Sequence, residues 1–391
     1  MKIGGKFGGV VLKTKVLVLK FFVLCALCAP GLFSCDFNFG KNDAEEEMPP
    51  VQGKLISWDV VNEAIRDGLT GTEASGDWKD CLRYDDNPWN KAIGPEYIER
   101  AFLAARNADA NVKLFYNDYS LNSANKAQAV YNMVNDINQR YPNVKGRPLI
   151  DGIGMQSHHQ LSTSPSTVEI SIELFASLGV DIAISEMDIE VPGGAWNTTL
   201  AQEQADQYTA MFAVFKNHAS NISRVTFWGL DDAKSWKTGL HATLLNADLS
   251  PKPAFYALAL NSGGSGWTWQ TAPSLYGVYK SYFLLGNVVS PGDLGTNRFN
   301  LLNRHYNSAT AENDMKPDYL APSSKPSGSN WAYKWANADK LVNAVNAAGM
   351  KMHGHTLIWH NQTPAWLTSG TKETVLANLE KYVTDVVTHF K

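Results

Sequence analysis

The chain has 391 residues, with 34 Lys and Arg against 38 Asp and Glu, a formal net charge of −4. That balance leaves no basic field to hold nucleic acid by counterion release, and no run of like charge is longer than Glu45–Glu47. At 44 % apolar and 18 % charged residues the composition is that of a folded chain, and the length suits two ordinary domains or one large α/β barrel. Twelve Trp and fifteen Tyr exceed what a core requires, and flat amphipathic rings also build surfaces that hold ligands.

At the N-terminus, Lys2, Lys6, Lys13, Lys15 and Lys20 precede an apolar stretch from Phe21 to Phe33 that Pro30 and Gly31 interrupt. The unbroken run is too short for a ~20-residue membrane span and fits the apolar part of an export signal, expected over residues 1–35. Leu32-Phe33-Ser34-Cys35 resembles a bacterial lipobox, in which Cys35 becomes the lipidated first residue; a plain signal cleaved nearby is the alternative. Residues 36–52 are polar, acidic and end in Pro, and read as a tether. Cys25 and Cys28 leave with the signal, so Cys35 and Cys81 imply no disulfide framework. The expected location is the cell envelope or outside it.

From residue 53 onward, strand-like and helix-like segments alternate. Short apolar or β-branched strands are expected at Leu55–Val61, Val112–Asp118, Ile150–Ser157, Asp181–Asp188 and Arg224–Gly229. Helical patterns follow them at Pro95–Ala108, Ala124–Gln139, Thr167–Leu178, Leu200–His218 and Pro253–Leu260. A Gly/Ser-rich stretch at 261–274 reads as a linker. Beyond it the alternation resumes with strands Phe283–Val289, Tyr306–Ala311 and Lys351–Trp359 and helices Phe299–His305, Ala336–Ala348 and Val375–His389. Five units and three make eight, the number that closes a (β/α)8 TIM barrel over residues 53–391.

Two of these strands end in carboxylates. Glu63 closes the first, preceded by Asn62, while Glu186 and Asp188 close the fourth, two residues apart and hence on one side of an extended chain. In an eight-fold parallel barrel such ends converge on one face, so Glu63 and Glu186 are expected to face each other across a cleft. Two opposed carboxyls are what glycoside hydrolysis requires, one to protonate the leaving oxygen and one to act as nucleophile or base. A solvated surface charge is the ordinary reading of any single Glu; two that each terminate an apolar strand depart from it. His158, after the third strand, could bond a strand-end carboxylate or be satisfied within its loop. His353, His355 and His360 lack the spacing of a zinc site, and no metal or other cofactor is expected.

These segments resemble glycoside hydrolase family ten, the endo-β-1,4-xylanases. The resemblance runs through WDVVNE (58–63), LFYNDY (114–119), DGIGMQSHH (151–159), SEMDIE (185–190) and VTFWGLDDAKSW (225–236). It continues in HYNSATAENDMKP (305–317) and GHTLIWHNQTPAW (354–366). The order is rotated: the family's strands four to eight come first and strands one to three last, as in a circular permutation whose former ends are joined at 261–274. Termini near each other and new ends in exposed loops make such a rearrangement physically tolerable.

The resemblance implies a retaining double-displacement enzyme acting on xylan and xylo-oligosaccharides; separately, the chain is expected to be a monomer, bound to a membrane only through the lipid at Cys35. It implies Glu63 as acid/base, Glu186 as nucleophile and Asn62 as the group that holds the sugar 2-hydroxyl. His158 would bond Glu186, with Asp188 orienting the imidazole. Glu312, Asn313, Lys316, His355, Trp359 and Gln362 match sugar-binding positions on the glycone side. Asn117 and Gln156 match further sugar-binding strand ends, and Trp228 and Trp236 match aromatic walls. The segment Trp78–Trp89 lacks an Arg-x-Ser of the family, so leaving-side binding is not carried over. A cellulase or β-glucanase of a related barrel, and a non-catalytic xylan-binding lipoprotein, are the competing readings.

Overall fold

A computed structural model describes residues 55–260 and 266–391. The expected signal with Cys35, the tether 36–52 and the first part of the 261–274 segment lie outside the described residues. Ten strands form one sheet: β1 (Leu55–Asn62), β2 (Lys113–Asp118), β3 (Gly152–Met155), β4 (His158–Gln160), β5 (Asp181–Glu190), β6 (Ile222–Phe227), β7 (Leu284–Val289), β8 (Ser308–Ala311), β9 (Lys351–Gly354) and β10 (Ile358–Trp359).

Every ladder between these strands is parallel. β1 meets β2 on one side, with Asn62 opposite Asn117. On its other side it meets β9 through Ser57–His353 and β10 through Asn62–Trp359, which closes the sheet on itself. β3 with β4, and β9 with β10, each fill one position, giving the eight-fold (β/α)8 barrel.

Each position is followed by an outer helix: α1 (Tyr97–Ala108), α2 (Ala124–Arg140), α3 (Pro165–Ala176), α4 (Thr198–Asn217), α5 (Pro253–Leu260), α6 (Asn297–His305), α7 (Ala336–Ala347) and α8 (Lys372–His389). Their apolar residues recur at helical spacing, as with Ile98, Ala101, Phe102 and Ala105 on α1, and this stripe is buried against the strands. The largest buried side chains of this layer, among them Phe102, Phe175, Phe212 and Tyr382, fill the space between sheet and helices.

The barrel interior is more polar. Ser57, Asp59, Asn117, Arg224, Thr226, Ser308, Thr310 and His353 are all buried there. Ser57 Oγ meets His353 Nδ1 at 2.7 Å across the barrel wall, and His353 Nε2 meets Asp59 at 2.9 Å. Inner positions are kept small where a large neighbour needs room: a Cβ on Gly154 would come within 2.3 Å of Asn117 Oδ1.

Several expected boundaries are corrected. The strand expected at Ile150–Ser157 stops at Met155, because Ser157 takes a left-handed φ of 64° before β4 resumes beside β5. The one expected at Lys351–Trp359 is broken at residues 355–357, where Thr356 Oγ1 and Leu357 N both donate to the Asp59 carbonyl (2.9 and 3.0 Å). β6 runs two residues earlier than expected, since the chain departs from the sheet at Trp228 and Gly229, the latter at φ 142°. Short helices at Pro88–Ile93 and Leu275–Tyr279 were not anticipated. Within the segment read as a linker, residues 266–274 are held against the barrel: Tyr256 Oη donates to the Trp267 carbonyl at 2.6 Å, and Arg304 to those of Trp269 and Ala272 (3.0 and 2.8 Å).

Candidate active site

Glu186 stands at the C-terminal part of β5 and is only 5 % exposed. Its Oε1 accepts from Asn117 Nδ2 at 2.8 Å and its Oε2 lies 3.3 Å from His158 Nε2. The same imidazole reaches Asp188 Oδ2 through Nδ1 at 2.8 Å, so the two carboxylates placed on one side by their spacing share one histidine. Trp236 Nε1 donates to that Asp188 oxygen as well, at 2.9 Å.

Burial opposes the charge on His158, but Asp188 and then Glu186 outweigh it and raise the imidazole to about 10. It is therefore an imidazolium at neutral pH. Burial would likewise raise Glu186; the neighbouring His355 and His158 outweigh it and hold the carboxyl below its ordinary range. His355 Nδ1 lies 3.9 Å from Glu186 Oε1 and 2.9 Å from Asp59 Oδ2.

Glu63 follows β1 directly and has a left-handed φ of 57°. Its Oε2 accepts from Trp359 Nε1 at 2.9 Å, and its Oε1 from Gln156 Nε2 at 2.9 Å and Asn62 Nδ2 at 3.3 Å. Asn62 Oδ1 accepts from both Asn117 Nδ2 (2.9 Å) and Gln156 Nε2 (3.3 Å). Glu186 and Glu63 are thus joined through Asn117, Asn62 and Gln156, three amides from three adjacent strand ends.

A second cluster lies beside Trp359. Lys316 Nζ donates to Asn313 Oδ1 at 3.0 Å and sits 5.1 Å from the Trp359 ring centroid. Gln362, at φ 42°, donates to the same Asn313 oxygen at 3.4 Å. Burial lowers Lys316 below its usual range against the pull of Glu186, Glu312 and Glu63. Glu312, raised by burial, accepts from Ser290 Oγ at 3.2 Å. Trp228 is buried edge-on against His355 at 5.2 Å, whereas Trp236 is 52 % exposed and stands edge-on to His158 at 4.7 Å.

Three interior residues of this site carried no assignment from sequence. Asp59 binds His353 and His355 through one oxygen, and these imidazoles outweigh burial to keep its carboxyl low. Burial and Arg224 bring His353 down to about 4, which makes it a neutral donor to Asp59. Ser185 Oγ donates to Asn117 Oδ1 at 2.6 Å, which orients that amide with its nitrogen towards Glu186. A usable signal existed for Asp59: Ser57 and Asp59 are polar at alternate positions of an otherwise apolar strand. His360 stands apart from this pair, with Nε2 3.9 Å from Glu63 Oε2.

A buried, ionised carboxylate held between an imidazolium and an amide, with a second carboxyl reached by an indole and an amide, can attack one side of a bond and exchange a proton on the other.

The sequence matches the family model for glycosyl hydrolase family 10 over residues 42–260 and 274–391. It is similar to the endo-1,4-beta-xylanase A of Thermoanaerobacterium saccharolyticum, 39 % identical over 209 residues, covering 53 % of this chain and 16 % of that one. The exoglucanase XynX of Acetivibrio thermocellus is 38 % identical over 210 residues, with 53 % and 18 % covered. The endo-1,4-beta-xylanase of Geobacillus stearothermophilus is 36 % identical over 222 residues, with 52 % and 62 % covered. The chain therefore spans between 16 % and 62 % of the length of these curated relatives. Among solved structures, a bacterial Ig-like domain containing GH10 xylanase from termite gut is 36 % identical, with a TM-score of 0.48 over 53 % of this chain and 49 % of that one. Because the family model covers the strand ends from β1 to β6 as well as those from β7 to β10, the chain belongs to glycosyl hydrolase family 10.

Proposed function

We propose that the protein is a retaining endo-1,4-β-xylanase. The observation that carries this reading is the pair of Glu186 and Glu63, at the ends of β5 and β1, bridged by amides from the strand ends between them. Glu186 attacks the anomeric carbon while Glu63 gives its proton to the departing glycosidic oxygen, forming a covalent glycosyl-enzyme. Water, deprotonated by Glu63, then displaces Glu186, so that the configuration is retained. Asn62 holds the 2-hydroxyl of the reacting sugar. The His158 imidazolium, oriented by Asp188, keeps Glu186 ionised and aimed. Asn313, Lys316, Trp359 and Gln362 bind the glycone side together with Glu312 and His355; Asn117 and Gln156 line the floor, and Trp228 and Trp236 wall the cleft.

Incubation with β-1,4-xylan should release reducing ends with β-configured products first; inverted products, or no release, would sink the reading. A glucan-cleaving activity is the second reading, prompted by the exoglucanase among the relatives. Comparing xylo- and cello-oligosaccharides separates the two.

The proposal extends to the gene's layout. The chain is a circular permutation of the family barrel, supported by a family match in two stretches that part at 261–273, within the Gly/Ser-rich segment. A reordered chain running 274–391 and then 53–260 should fold and turn over xylan like the parent. Residues 1–35 act as a lipoprotein-type signal, 36–52 as a tether, and the protein works as a monomer at the cell envelope. Cys35→Ser should then release it from membranes, and unchanged partitioning would leave only a cleaved signal.

A further inference from the structure

The backbone that carries Glu63 is held in a manner that the reaction scheme does not explain. Glu63 adopts φ 57°, a conformation costly for a residue with a side chain, at the point where β1 turns away from the sheet. Three consecutive N–H groups there are tied to β2. Glu63 N donates to the Asn117 carbonyl at 2.8 Å, while Ala64 N and Ile65 N both donate to one atom, the phenol oxygen of Tyr116, at 3.0 and 3.2 Å.

The phenol supplies both acceptances and must pass its own hydrogen onward. Asp118 Oδ2 takes it, and Ile65 N also lies 3.4 Å from that oxygen. Asp118 is in turn fixed by Lys126 Nζ at 3.0 Å from Oδ1, on a side chain only 4 % exposed that also reaches Asp67 at 3.0 Å. Burial, reinforced by Asp118, raises the Tyr116 phenol well above its usual range, so it remains a donor throughout the working range of pH.

We infer that Tyr116, backed by Asp118 and Lys126, is a positioning residue for proton transfer: its hydroxyl clamps the left-handed turn at Glu63 and so aims that carboxyl at the leaving oxygen. The inference rests on the reading of Glu63 as acid/base. Removal of the hydroxyl leaves the Ala64 N–H without its acceptor and the Ile65 N–H with only its longer contact to Asp118, and the turn relaxes to recover bonds elsewhere. A shift of about 1 Å in a catalytic group can cost on the order of 100-fold. The effect should be confined to the proton: Glu186, held by β2 and β4 through Asn117 and His158, keeps its place.

The test compares kcat/KM on xylan with kcat/KM on 2,4-dinitrophenyl β-xylobioside, whose leaving group departs without protonation, using the full protein. Tyr116→Phe should lose roughly 10- to 100-fold on xylan and stay within about twofold on the dinitrophenyl substrate. Azide, which attacks the glycosyl-enzyme without a base, should raise kcat on that substrate in the variant. Lys126→Met should show the same selectivity more weakly, and it decides the matter if Tyr116→Phe does not fold.

Tyr279→Phe serves as the control, since this buried phenol on the helix before β7 donates to the Leu258 carbonyl at 3.1 Å. It should lower Tm with no dependence on the leaving group. Equal losses on both substrates in Tyr116→Phe, or equal selectivity in Tyr279→Phe, overturn the inference. If the parent cleaves neither substrate, the glycosidase reading itself fails. If the parent is active but Glu63→Ala shows no leaving-group selectivity, the acid/base assignment fails; either result removes the inference with it.

Discussion

Glu186, at the end of β5, is nearly enclosed and takes bonds from an imidazole and an amide that are themselves anchored, by Asp188 and by Ser185. Glu63, at the end of β1, sits on left-handed backbone and meets groups from two distant segments, Trp359 and Gln156. One carboxylate lies within the sheet beside an imidazolium, and the other is met by uncharged donors and stands on a turn held in a left-handed conformation. The difference suits two tasks. A nucleophile needs a fixed charge and a fixed line of attack, while an acid/base must give up and regain a proton as its charge alternates.

The largest expected effect comes from removing the enclosed carboxylate. Glu186→Ala should lower turnover of xylan on the order of 10⁴-fold or more, with azide yielding a product of inverted configuration. Residual activity close to that of the parent would end the contrast between the two sites. Glu63→Ala should cost about 10²- to 10⁴-fold on xylan and far less on substrates with activated leaving groups. A loss that ignores the leaving group would mean that the two carboxylates do not differ in role.

His158→Gln tests what holds Glu186, and about 10²-fold in kcat is the expected cost of losing a preorganised cation beside the reacting carboxylate. It also has a signature in stability. The folded imidazole is raised to about 10 from an ordinary 6.5, so its contribution is complete below about 6.5 and is lost as pH rises through about 10. Thermal melts between those values should show the parent losing stability that the variant never had; parallel curves would show that His158 is not held charged.

Gly154→Ala probes the amide that links the sites. Its Cβ would meet Asn117 Oδ1 at 2.3 Å, so it should displace the bridge at a cost of about 1–3 kcal/mol in stability and about tenfold in activity. Normal activity in a folded variant would remove Asn117 from the chain of contacts. The smallest effect belongs to the exposed Trp236: its replacement by Ala should raise KM a few-fold while changing stability by under about 1 kcal/mol. A fall in kcat equal to that of His158→Gln would show instead that its bond to Asp188 governs the imidazole.

Much of this arrangement was legible before any coordinates. Apolar runs ending in polar residues located all eight barrel positions, because a parallel strand covered on both faces is mostly apolar along its length and its polar groups gather at its C-terminal end. The two-residue spacing of Glu186 and Asp188 already put them on one side of β5, and both do bond one histidine. The breaks in β3/β4 and β9/β10 were not legible. They depend on Ser157 adopting positive φ and on Thr356 and Leu357 bonding the carbonyl of Asp59, 297 residues away for Thr356.

The Tyr116 clamp was hidden for a related reason. In LFYNDY the tyrosine reads as one more core aromatic, and only its contact with the turn 52 residues earlier reveals a polar task. Asp59 was a visible charge within an apolar strand, but the two histidines it joins come from the other end of the chain.

By itself, then, the order of residues determined the alternation of strands and helices, the count of eight and the strand ends that bear carboxylates. Those are consequences of local periodicity and of the cost of burying charge along a strand. The tertiary structure decided which amide bridges which carboxylate, which imidazole is charged and which turn is held in a left-handed conformation. Closure of the sheet brings β1 against β9 and β10, and contacts made across that seam have no counterpart in sequence spacing.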